Sequence, residues 1–180
     1  MLMSHSQCLD AYGSNYQIKK QLSSGTLYRL EAGVYSTEAY ADEAEVLAFK
    51  YPYAVFTMES AWYYHHLTDV IPERYCLATD KDASKIKDPR VRQIFCDKAL
   101  LTPGLTHIRR GSAEIPIYDR ERMLIELLRN KATLPYDYYK EILVHYRTLI
   151  HELDIARIQD YAGVFPKSRM LVRMLQSEVL

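Results

Sequence analysis

Only six glycines occur in the 180 residues, and none of them falls in a phosphate-cradling loop. Nucleotide-binding loops of that kind are therefore excluded. Three cysteines, Cys8, Cys76 and Cys96, are odd in number, far apart and without a C-x-x-C pair. A disulfide framework is excluded, and buried free thiols in a reducing compartment are expected. No apolar run reaches the roughly 18 residues of a membrane span. The opening Met-Leu-Met-Ser-His-Ser lacks the basic flank and apolar core of a signal peptide, so a cytoplasmic location is expected. Net charge is zero, 23 basic against 23 acidic residues, which argues against coating nucleic acid nonspecifically but leaves room for a local site.

What is abundant is tyrosine, sixteen in all. Tyrosine joins apolar area to a polar tip, which suits half-buried packing around a core and also partner surfaces. Hydrophobic content of 48% and charged content of 26% allow a real core.

The stretch Gly13 to Ser36 organises the reading. Ser14 is an N-cap with Gln17 three residues on, a capping-box pattern. Ile18 and Leu22 give a short helix one inward stripe. Gly25 ends that helix, and Leu27–Leu30 and Val34–Tyr35 flank Glu31-Ala32-Gly33 as a hairpin. Ser4 to Tyr12 forms a preceding helix with Leu9 and Tyr12 inward, stopped by Gly13. A helix with amide and amine side chains outward, followed by a hairpin bearing an arginine, resembles a winged helix. A small unit capping a larger domain fits the pattern equally. Only two helices fit before the hairpin, so such a module is minimal. Asn15, Gln17, Lys19 and Lys20 are the candidate major-groove or phosphate contacts, and Tyr28 and Arg29 the candidate wing contacts. Residues 1–36 carry three basic against two acidic residues, a weak electrostatic footprint.

Beyond residue 36 the periodicity predicts helices over 42–51 and 58–66 and strands at 53–56, 74–79, 91–96, 106–109 and 114–118. Asp119 caps a helix to Arg129, and Pro135 opens a long one. Two more helices follow, the first stopped by Gly163. The fold class expected is α+β: a minimal N-terminal winged helix over 1–36, then a mixed strand–helix domain over 37–180 ending in a helical bundle.

Three stretches carry a family resemblance. Gly25-Thr26-Leu27-Tyr28-Arg29-Leu30-Glu31-Ala32-Gly33-Val34-Tyr35 is similar to a G-x-L-x-R-L-x-x-G-V-Y wing. Ala54-Val55-Phe56-Thr57-Met58-Glu59-Ser60-Ala61 is a strand running into a helix near E-S-A. Ile117-Tyr118-Asp119-Arg120-Glu121-Arg122-Met123-Leu124-Ile125-Glu126-Leu127-Leu128-Arg129 is similar to a D-R-E-R-T-L-x-D-L-L-R helix, with Met123 and Glu126 for threonine and aspartate. In this order and spacing they resemble the AbiEi-like antitoxins of type IV toxin–antitoxin (abortive infection) systems. The resemblance implies a non-catalytic protein without a cofactor. Its winged helix binds operator DNA and represses its own operon, and its larger domain counters a nucleotidyltransferase-like toxin encoded nearby. The alternatives are a stand-alone transcriptional regulator and a metal-dependent nuclease.

Other chemistry is thinly supported. His65 and His66 are adjacent on a helix, so they point about 100° apart and do not chelate one ion as an i, i+4 pair would. Asp80, Asp82 and Lys85 follow a strand as a nuclease set would, though a charged loop fits them as well. Arg122, Glu126 and Arg129 share one helix face, read either as a solvated ion-paired face or, with Arg120, as partner contacts.

Overall fold

A computed structural model describes residues 1–179. They form an α+β fold that divides into two compact units, one of residues 1–53 and 108–115, the other of the remainder.

The first unit begins with strand β1 (Leu2–Ser4), then helices α1 (His5–Tyr12) and α2 (Asn15–Ser24), strands β2 (Tyr28–Glu31) and β3 (Val34–Ser36), and helix α3 (Glu43–Lys50). Each break is chemical. Ser4 and Gln7 form a full reciprocal capping box at the start of α1. Gly13 leaves α1 at φ 80°, donating its N–H to Leu9 O. Ser14 accepts the N–H of Gln17, and Gly25 ends α2 at φ 72°. β1 was not expected from the sequence. It pairs antiparallel with β3, which also pairs with β2, giving the order β1-β3-β2.

That small sheet is covered on both faces. Successive strand residues point to opposite sides. Met3 and Tyr35 join Cys8, Ile18 and Leu27 beneath α1 and α2, whereas Leu2 and Val34 meet Val46 of α3. The first unit therefore takes in α3, beyond the expected boundary at residue 36. It also takes in 108–115, where Ser112 donates from N and Oγ to the nearly buried Glu45 and Arg110 pairs with Asp42.

The second unit carries strands β4 (Val55–Phe56), β5 (Tyr75–Asp80), β6 (Val91–Cys96), β7 (Leu105–Arg110) and β8 (Ala113–Tyr118), in sheet order β6-β5-β4-β8-β7. The tip of the β7–β8 hairpin is the segment counted with the first unit. The sheet is mixed: β4 is antiparallel to β5 and parallel to β8, and β5 is parallel to β6. Helix α4 (Met58–Tyr64) follows β4, and α5 (Arg120–Arg129), α6 (Tyr136–Leu149), α7 (Ile155–Val164) and α8 (Ser168–Met174) follow β8. Trp62 is fully buried and donates its Nε1–H to Met123 O at 3.2 Å, tying α4 to α5. Thr57 is the N-cap residue of α4, without a side-chain cap bond. Two local expectations are corrected. Pro135 lies at the N-cap with ψ 133°, outside the helix it was expected to open. Gly163 lies within α7, which runs on to Val164. Among the described residues no helix is long and apolar enough to cross a membrane.

Candidate functional site

In the first unit, Ile18 and Leu27 are buried with Leu22 packed beside them, which leaves the outer side of α2 and the start of β2 facing water. Asn15, Gln17, Lys19, Lys20, Tyr28 and Arg29 are all exposed. They come from two elements separated by three residues, with Gly25 making the turn. They do not all stand equally free. Asn15 Oδ1 lies 2.9 Å from His5 Nε2, so its side chain bridges to α1. Tyr28 keeps 37% exposure while its hydroxyl leans over Gly25. One prominent side chain escaped the sequence reading: Tyr16, 74% exposed, on α2. Counting 100° steps from the inward Ile18 would have found it.

The arginines of α5 fare differently. Arg122, expected on a solvated or partner-facing surface, is 2% exposed. Its Nε and Nη2 donate to Glu126, and its Nη1 donates to the carbonyls of Leu100 and Pro103 at 3.0 Å each. The guanidinium also stacks against the rings of Tyr118 and Phe165, 4.5 and 4.3 Å from their centroids. It is a structural arginine, with four of its five N–H donors engaged inside the unit. Arg129 is partly exposed, pairing with Glu126 at 2.9 Å and packing on Phe165. Arg120 pairs with Glu152 at 3.4 Å. The three do not form one open cationic surface.

Beside this node the second unit has a cleft of about 800 Å³, lined by residues of β6 and α5 together with Phe165. A smaller one of about 480 Å³ lies next to Val70–Arg74 and Tyr138. The Glu59–Arg92 ion pair borders both. Burial, with the Glu59 carboxylate beside it, pushes the Cys76 thiol up to about 12, so it is no nucleophile at neutral pH. Cys8 is buried as well, and Cys96 is half-buried.

Of the remaining candidates, Asp80 and His65 are structural in their contacts. Asp80 accepts the N–H of Asp82 in a turn, and Lys81 pairs with Asp97. His65 Nε2 is 2.6 Å from Tyr118 O, and burial lowers its pKa despite that acceptor. Among the described residues no group of three His, Cys, Asp or Glu side chains is placed to hold a metal ion.

No family model matches the chain, and no curated protein matches it. Among solved structures it is similar to the Rv2827c protein of Mycobacterium tuberculosis. The TM-score is 0.60 at 18% identity, over 99% of this chain and 72% of that one. At that identity the likeness is one of fold.

Proposed function

We propose that the chain is a non-catalytic antitoxin of a type IV toxin–antitoxin system. Its first unit acts as a minimal winged helix on operator DNA, and its second unit counters a nucleotidyltransferase-like toxin. The observation that carries the DNA-binding half is the exposure of all six polar candidates on α2 and β2 while Ile18 of α2 and Leu27, just before β2, are buried. Amides and amines so displayed match base edges and phosphates. The antitoxin half rests on the three sequence stretches that resemble the AbiEi-like family.

Two measurements test the halves separately. A gel shift with the DNA upstream of the gene is expected to show a complex, and no complex would remove the repressor role. Co-expression with the neighbouring toxin gene is expected to restore growth. A chain that binds the DNA yet gives no protection would be a stand-alone regulator.

A further inference from the structure

Helix α2 turns Ile18, 3% exposed, and Leu22 toward the core. With Ile18 as zero, Tyr16 lies at about 160° and Lys20 at about 200°, whereas Asn15 lies near 60°. The outermost line of the helix is thus an aromatic ring and an ammonium four residues apart. Tyr16 is 74% exposed, so its ring serves no core. Asn15 sits closer to the core edge and is engaged by His5, whose own ring is 6.1 Å from that of Tyr35. His5 therefore joins the start of α2 to the sheet.

We infer that Tyr16 and Lys20 are the base-reading pair of α2, and that Asn15 is a positioning residue acting through His5. This rests on the proposed DNA binding and names what that site selects. A tyrosine ring packs on the thymine methyl, and a lysine donates to guanine O6 and N7. Four residues of helix advance about 6 Å, roughly two base-pair steps. The ligand is B-form duplex with a thymine and a guanine within about two base pairs of each other.

The test is selection from a pool of randomised duplexes with the wild-type protein, Tyr16→Ala and Lys19→Ala. Wild type is expected to enrich a site with that thymine and guanine. Tyr16→Ala should lose about tenfold of the preference at the thymine, with its salt dependence unchanged. Lys19→Ala, as a phosphate contact, should weaken all duplexes alike. For Asn15, the double variant His5→Ala with Asn15→Ala should bind no worse than either single variant, with the selected sequence unaltered. Tyr16→Ala enriching the wild-type sequence undiminished overturns the inference and leaves DNA binding standing. Additive losses for His5 and Asn15 overturn the positioning role. Wild-type protein that retains no duplex overturns both the inference and the DNA-binding proposal.

Discussion

Nε and Nη2 of Arg122 donate to the same oxygen of Glu126, at 3.1 and 2.8 Å, with Arg122 only 2% exposed. The other Glu126 oxygen accepts from Arg129 at 2.9 Å. Removing one member of a buried pair leaves an uncompensated charge, which costs far more than replacing both. In Arg122→Met, Arg129 still faces Glu126, while the carbonyls of Leu100 and Pro103 lose their donor. That variant is expected to destabilise by about 3 kcal/mol, and Arg122→Met with Glu126→Leu to recover only part of that loss. Urea unfolding of the two variants checks this. Equal losses would mean the ion pair is not what holds the site.

Gly104 meets the same arginine from the backbone side. It sits at φ 80°, and a Cβ there would overlap Arg122 Cβ. Gly13 has the same φ of 80° but nothing within 4 Å of its added Cβ. Gly13→Ala should cost about 1–2 kcal/mol, from the left-handed backbone alone. Gly104→Ala should exceed that by about 1–3 kcal/mol, the cost of overpacking. Denaturation of both variants isolates the crowding, and matching losses would show that Arg122 moves aside freely.

His65 gives a pH dependence. Burial lowers its native pKa below the unfolded value, so the unfolded chain takes up the proton first. Its contribution to stability is complete above about pH 6.5 and is lost as pH falls from there through the lowered native pKa. Unfolding midpoints followed from about pH 8 to pH 5 should therefore decline. His65→Asn should flatten the decline and, through the weakened bond to Tyr118 O, cost about 1 kcal/mol at neutral pH.

Lys19 and Lys20 are both exposed on α2. Lys19→Ala should weaken binding to any duplex and reduce the slope of log affinity against log salt by about one, whereas Lys20→Ala should relax the preference at the guanine. A slope equal to that of wild type would take Lys19 off the phosphates.

Local chemistry made much of the architecture legible. Ser14 and Gly25 bound α2, Asp119 caps α5, and the strand expected at 91–96 is β6. β1 escaped because three residues carry no period. It exists through its pairing with β3, some thirty positions later. Arg122 escaped for a similar reason. Its spacing with Glu126 and Arg129 is that of a surface ion-pair row, and only the carbonyls of Leu100 and Pro103 and the ring of Phe165, all distant in sequence, bury it. At the candidate site, residue type pointed to the exposed amides and amines. It did not separate Asn15, bound to His5, from its neighbours.

The hydrogen bonds from Ser112 to Glu45 span 67 positions of sequence. A ribosome must therefore deliver more than half of the chain before α3 acquires the partner for its nearly buried carboxylate. A fragment ending after Tyr53 would carry the whole of α2 and β2 yet leave Glu45 without these donors. Shortened versions meant to isolate the amino-terminal unit should accordingly supply a substitute for residues 108–115 or neutralise Glu45.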